Sequence, residues 1–151
     1  MRILITVGTT SFDELIKQTD IFFQKNGNHE IKYQISNGIY KPISGGYFDF
    51  TKNISEIYDW ADCIITHAGA GNIYKLLELN KLIIVVPNLN RVDKHQSDIT
   101  NFIQEKKYGL VCWNLSLFED VFYKLDGFKR NRYVKNNFFK FIEIRDFIKL
   151  S

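Results

Sequence analysis

Cysteine is nearly absent from this chain: there are two, Cys63 and Cys112, and each sits inside an apolar run. Thiols so placed read as small core side chains, which leaves no disulfide framework and no cysteine-based metal site to organise the fold. No apolar run approaches the ~18 residues that a membrane-spanning helix needs, and no basic-then-apolar leader opens the sequence, so the expectation is a cytoplasmic protein. No internal repeat or low-complexity tract interrupts it.

What is present suffices for one core. The chain has 151 residues, 45% hydrophobic and 25% charged, which fits a single compact domain. Its formal net charge of +3 is unevenly placed, because residues 124–151 hold 8 Lys and Arg against 3 Asp and Glu. The part before them is slightly acidic, and with no recognisable nucleic-acid module in it, nucleic acid is not an expected partner.

Hydrophobic patterning alternates between two periods. Strands are expected over 2–7, 30–36, 47–50, 63–66, 82–86 and 109–113, and helices over 12–25, 55–60, 71–79, 95–106 and 117–125. In the first helix Leu15, Ile16, Thr19, Phe22 and Phe23 share a face, and Ser11 is the expected cap. Residues 37–46, with Gly38, Pro42, Gly45 and Gly46, read as a loop. Strands alternating with helices imply an α/β fold, a Rossmann-like parallel sheet flanked by helices.

The segment Ala61-Asp-Cys-Ile-Ile-Thr-His-Ala-Gly-Ala-Gly-Asn72 is the most informative. It reads as a buried strand emptying into a glycine-rich turn that opens a helix. The first amides of a helix lack internal partners and carry the positive end of its dipole, and glycines allow a diphosphate to approach them. A tight turn that simply needs small residues is the other reading. Three further segments fall at expected strand exits, where ligands collect in open α/β sheets: Val7-Gly-Thr-Thr-Ser-Phe12, Val86-Pro-Asn88 and Asp93-Lys-His-Gln96.

Together these segments resemble the carboxyl-terminal, nucleotide-sugar-binding half of the GT-B glycosyltransferases, in the family that includes the peptidoglycan GlcNAc transferase. The resemblance extends to the small catalytic subunits of two-part UDP-sugar transferases that act on lipid-linked acceptors, in dolichol glycosylation and in bacterial capsule and exopolysaccharide synthesis. It covers roughly residues 1–115. It implies a UDP-sugar donor, no metal and no cofactor, and a membrane-associated partner subunit that supplies the lipid-linked acceptor and the catalytic base. The chain would then lie at the inner face of the plasma membrane through that partner. A non-catalytic nucleotide-sugar-binding subunit is the competing class, and an epimerase of similar fold would need a second domain.

The resemblance also implies a set of roles. Gly69, Ala70, Gly71 and Asn72 would face the diphosphate through their amides, and Gly8, Thr9 and Thr10 would form the second phosphate-side loop. Phe50 and Thr51 match the position that holds the uracil, an assignment that nothing local in the sequence supports. Asp93, His95 and Gln96 match the segment that contacts sugar hydroxyls, with Gln96 favoured because an amide both donates and accepts; an acid or amide there would equally cap the next helix. His67 and Asn72 are the candidates beside the reacting centre, although a histidine at a strand end also serves as a structural residue bonded to a loop carbonyl. One departure stands out. Lys75 occupies the position of the family's ribose-binding glutamate, and a lysine cannot accept a hydrogen bond. Either Glu78 reaches back, backbone groups hold the ribose, or the donor differs.

The basic tail, 126–151, carries Phe128, Tyr133, Phe138, Phe139, Phe141 and Phe147. Val134, Phe138, Phe141, Ile142, Arg145 and Ile148 fall near one face of an amphipathic helix. Packing on its own domain, docking on a partner and contact with an anionic membrane are its three readings.

Overall fold

The structure is a computed structural model and describes residues 1–90 and 95–135. Among these residues, six parallel strands alternate with helices. In chain order they are β1 (Arg2–Thr6), α1 (Asp13–Lys25), β2 (Glu30–Gln34), β3 (Gly46–Phe48), α2 (Ile54–Trp60), β4 (Cys63–His67), α3 (Ala70–Glu78), β5 (Leu82–Val86), α4 (His95–Glu105), β6 (Leu110–Val111) and α5 (Phe118–Tyr123), with a 3₁₀ turn at Leu115–Leu117 before α5. The sheet order is β3-β2-β1-β4-β5-β6, the doubly wound order of dinucleotide-binding folds, whose crevice opens where the winding reverses. That reversal lies between β1 and β4, paired in register from Ile3 opposite Cys63 to Thr6 opposite Thr66.

The period of two along each strand divides the core. Ile3, Ile5, Ile65, Ile84 and Val86 point to one face, where α1 and α5 pack with Phe22, Phe23, Phe118 and Phe122. Leu4, Ile64, Ile83 and Val85 point to the other, beneath α2, α3 and α4 with Tyr58, Leu76 and Ile103. Central strands covered on both faces must be largely apolar, which is why Cys63–Ile65 of β4 and all of β5 read as apolar runs. Both thiols are buried in this core, and burial pushes Cys63 up to about 12 and Cys112 up to about 11.

Several boundaries differ from the sequence expectation. Ser11 does not cap α1; the residue preceding the helix is Phe12, with no side-chain cap bond, and Asp13 and Glu14 supply the negative charge that suits a first turn. Phe50 lies beyond β3, which ends at Phe48, and β6 is two residues long. The helix expected over 117–125 is shorter, Phe118–Tyr123, and follows a 3₁₀ turn at Leu115–Leu117 that Asn114 starts by accepting from the Ser116 N–H. The start of the tail lies on the domain: Asn131 bonds the carbonyls of Lys106 and Lys107, Tyr133 packs on Tyr74 and Tyr108, and Lys135 pairs with Glu78 at 2.8 Å. The amphipathic helix expected over 126–151 is not formed in its first part, where residues 126–135 run as a turn and extended chain along the domain, and its remainder, 136–151, lies outside the described residues.

Loop 37–46 is held by two aspartates of α1. Asp20, fully buried, accepts from the Tyr40 hydroxyl at 2.7 Å, the Gln24 amide at 2.8 Å and the Ile43 and Ser44 N–H groups at 3.0 and 2.7 Å. Asp13 accepts from Ile39 and Tyr40 N–H. Burial alone would raise the Asp20 pKa, but hydrogen bonds from Ser44, Tyr40 and Ile43 outweigh it and hold the group below its ordinary value. A carboxyl depressed in the folded state stabilises above its unfolded pKa of ~3.9 and loses that contribution as pH falls through the lower folded value. Asp20→Ala is therefore expected to destabilise the fold by about 3 kcal/mol at neutral pH, with the difference from wild type shrinking below about pH 4. Urea denaturation across pH measures both.

Candidate functional site

The exits of β1 and β4 bring the expected residues to one edge. Gly8 leaves β1 at a φ of +64°, and a Cβ there would stand 3.0 Å from His67 Cε1; a Cβ on Gly69 would stand 2.5 Å from His67 Nε2. The imidazole at the end of β4 thus sits between two glycines, and its bulk is a reason for both of them. Gly71 differs, because a Cβ there would meet nothing within 4 Å. Its face is open.

Helix α3 begins at Ala70, and its first accepted bond is Ile73 N–H to Gly69 O at 3.0 Å. The N–H groups of Ala70, Gly71 and Asn72 have no protein acceptor among the described residues. Gly69, expected with them, has its N–H turned to the His67 carbonyl at 2.9 Å. Three amides therefore remain for an anion, at the positive end of the helix.

Asn72 uses its side chain inward: its amide nitrogen donates to Thr66 Oγ1 at 2.9 Å, and its oxygen accepts from the Tyr58 hydroxyl. The carboxamide thereby fastens the first turn of α3 to β4 and α2, and only the backbone of Asn72 faces the opening. Tyr58 is also a wall of a cavity of about 200 Å³ that Gly8, Thr9, Phe50 and Thr51 line with Thr6, Gln34 and Ile54. Four of the expected residues are thus gathered in one cavity, and Phe50 is 56% exposed at its mouth. Thr10 is exposed in the same β1 loop.

Lys75 stands at the rim, its Nζ 3.3 Å from Ser55 Oγ and 5.5 Å over the Tyr58 ring. Glu78 does not reach back beside it, because Lys135 holds its carboxylate. On the other flank, His95 is exposed at the start of α4, and Gln96 is 6% exposed with its carbonyl oxygen accepting the Asn88 N–H at 2.9 Å. Half of the amide favoured for sugar recognition therefore holds the β5 loop instead. Asp93 lies outside the described residues.

Gln34 is the residue that sequence reasoning missed. It is 4% exposed, and its side chain accepts from Gly8 N–H at 2.8 Å and Thr6 Oγ1 at 2.6 Å while donating to the carbonyls of Gly8 and Asp49, both at 2.8 Å. Alternation in β2 places it with Lys32 on the half-covered face, and only its position at the strand end hinted at a role.

Fold and edge define a class: a Rossmann-like domain with three open amides at a helix start beside a cavity of about 200 Å³. Residues 2–132 match the glycosyltransferase family 28 C-terminal domain, and the chain belongs to that family. It is 40% identical over 87 residues to the UDP-N-acetylglucosamine transferase subunit ALG13 of Saccharomyces cerevisiae, across 57% of this chain and 42% of that protein. It is 30% identical over 95 residues to the UDP-N-acetylglucosamine--N-acetylmuramyl-(pentapeptide) pyrophosphoryl-undecaprenol N-acetylglucosamine transferase of Psychromonas ingrahamii, across 57% of this chain and 27% of that protein. The solution structure of ALG13 superposes with a TM-score of 0.63 at 21% identity, covering 99% of this chain and 93% of that one, and shares the fold. The matched segment is 10% of the mouse ALG13 subunit, 11% of the human and 42% of the yeast, so the chain spans less than half the length of these curated relatives.

Replacing Gln34 by leucine removes four hydrogen bonds: the Gly8 carbonyl and the Thr6 hydroxyl proton lose their donor and acceptor, Gly8 N–H keeps only the 3.4 Å approach to Thr6 Oγ1, and the Asp49 carbonyl keeps the bond from Ser36 N–H. Stability is expected to fall by about 3 kcal/mol, and exchange of the Gly8 and Val7 amides to accelerate more than that of the β4 and β5 amides. Denaturant titration and amide exchange by NMR check the two parts.

Proposed function

We propose that this chain is the donor-binding subunit of a glycosyltransferase that moves a hexose from a UDP-sugar to a lipid-linked acceptor in polysaccharide assembly. The observation that carries the proposal is the juxtaposition, at the β1 and β4 exits, of the three open amides of Ala70, Gly71 and Asn72 with the cavity of Phe50 and Thr51. The relatives' names support the donor: the yeast and Psychromonas proteins are both named for UDP-N-acetylglucosamine, and the second name includes a pyrophosphoryl-undecaprenol acceptor.

In this reading the uracil lies against Phe50 and Thr51, and the diphosphate spans the Gly8-Thr9-Thr10 loop and the start of α3. As the glycosidic bond to the donor breaks, negative charge grows on the departing diphosphate. Fixed amides aimed at that charge lower the barrier without reorganising. His67 adds a ring at the junction of the two loops, and Lys75 takes the ribose side by donation where a carboxylate would have accepted. The acceptor and its base come from a membrane-associated partner at the inner face of the plasma membrane, which closes a site that would otherwise admit water and lose electrostatic strength. No cofactor is required by this scheme.

Two measurements test it. Gly71→Val places a branched side chain in open space, so the fold is expected to survive while UDP affinity drops by more than ~2 kcal/mol through loss of charge-assisted bonds; calorimetric titration with a thermal melt of each protein decides, and equal affinities would sink the reading. For the partner, the chain ending at residue 135 keeps the contacts of Asn131, Tyr133 and Lys135 and is expected to bind UDP unchanged. Co-purification with the acceptor subunit, and transfer to lipid, should be lost with residues 136–151.

A further inference from the structure

Of the three residues whose amides open at the start of α3, only Asn72 has a side chain that can bond the turn to the rest of the domain. Ala70 is exposed and ends at its methyl, and Gly71 has no side chain. The Asn72 carboxamide runs inward to Tyr58 of α2, 4% exposed, and to Thr66 of β4, fully buried. We infer that Tyr58 is a positioning residue of this site: its hydroxyl, acting through Asn72, holds the open amides in place for an anion, while its ring walls the cavity of Phe50 and Thr51.

The bonds run in one direction. Thr66 Oγ1 donates its single proton to the His67 carbonyl at 3.2 Å, so toward Asn72 it can only accept, and the Asn72 NH₂ donates to it at 2.9 Å. The carboxamide oxygen is thereby left for the Tyr58 hydroxyl, which donates to it. Burial holds that hydroxyl above its ordinary pKa, so it remains a donor at neutral pH. The His67 carbonyl that ends the series also receives the Gly69 N–H at 2.9 Å. Tyr58, Asn72, Thr66 and His67 therefore form one chain of donors and acceptors, from α2 across the first turn of α3 to the exit of β4. In such a chain the loss of one member is felt by the others.

Ring and hydroxyl of Tyr58 have separable tasks. The ring lines the cavity with Phe50, Thr51 and Ile54, and Lys75 Nζ lies 5.5 Å over it. Phenylalanine would keep both contacts, because its face is also apolar and also attracts a cation. What it gives up is the bond to Asn72. The first turn is then tethered from Thr66 alone. Ile73, fully buried, still anchors the end of that turn, so α3 is expected to persist while its open amides lose their fixed direction. Fixed donors serve a charge better than mobile ones, because no ordering has to accompany binding. An anion is therefore the ligand that senses the hydroxyl, and a nucleoside the one that senses the ring. The identity of that anion as a diphosphate rests on the function proposed above; the positioning of the amides does not.

The test uses the full chain, Tyr58→Phe, Asn72→Ala and the double variant, each with a urea midpoint to establish folding. Inorganic pyrophosphate, uridine and UDP are titrated by calorimetry, and NMR relaxation of the Ala70, Gly71 and Asn72 amides is recorded without ligand. Tyr58→Phe is expected to bind uridine as the wild type does and to lose about tenfold in affinity for pyrophosphate and UDP. Its amides from Ala70 to Asn72 should become more mobile while those of β4 and β5 do not change. Asn72→Ala is expected to lose at least as much, and the double variant no more than Asn72→Ala, since the two side chains act in series. A Tyr58 that serves stability alone would lower the urea midpoint and leave pyrophosphate affinity intact, or weaken uridine equally; either result overturns the inference, as do losses that add in the double variant. If the wild type binds neither UDP nor pyrophosphate, the donor-binding function fails. Unchanged amide relaxation in Tyr58→Phe then overturns the positioning as well, and increased mobility upholds it.

Discussion

Four hydrogen bonds on the Gln34 side chain join the exits of β1, β2 and β3, and the shape of the crevice follows from that junction. Parallel strands end in loops with no ladder to hold them, so each loop needs its backbone groups satisfied some other way. A buried carboxamide can satisfy two donors and two acceptors at once, which is the number that Gly8, Thr6 and Asp49 present. The φ of +64° at Gly8 is held by bonds to both its N–H and its carbonyl. With that loop fixed, Thr9 and the wall of the Phe50 cavity are placed, and the His67 ring has a glycine to lie against.

The glycines of the turn after β4 serve different ends. Gly69 admits the imidazole, whereas Gly71 leaves the surface of the helix start bare. Glycine inside a helix costs about 1 kcal/mol relative to alanine, so a bare first turn is a stability loss that the fold accepts. Asn72 offsets part of it by tying the same turn to Thr66 and Tyr58. Because Tyr58 also lines the cavity of Phe50, the open amides of the α3 start and that cavity share a wall.

Most of the architecture was legible because strands buried on both faces must be largely apolar, as β5 is throughout and β4 is from Cys63 to Ile65. Helix α1 was legible for the complementary reason, its apolar face recurring at helical spacing. The buried Asp20 in that face was not, since its role depends on backbone groups of loop 37–46 that meet it only in the fold. The same holds for Gln34 and for the bond from Gln96 to Asn88: a polar side chain next to an apolar run looks solvated until its distant partner is known. The glycine turn reads as four amides facing one opening, yet Gly69 N–H is bonded to the His67 carbonyl, a distinction of one amide that composition cannot make. Phe50 entered through resemblance alone, and the structure places it at the mouth of the cavity with Gly8 and Thr9.

The two thiols have a consequence of another kind. The thiolate is the reactive form of cysteine, and both side chains are held protonated and shielded from solvent in the folded chain. Alkylating reagents therefore gain access only when the structure opens. Cys63 belongs to β4 in the middle of the sheet and becomes accessible when the whole core parts, whereas Cys112 follows the two-residue edge strand β6 and is uncovered by fraying of that edge. The wild-type chain thus carries a pair of internal clocks, one timing the loss of the centre and the other the loosening of the margin, without any label having to be introduced.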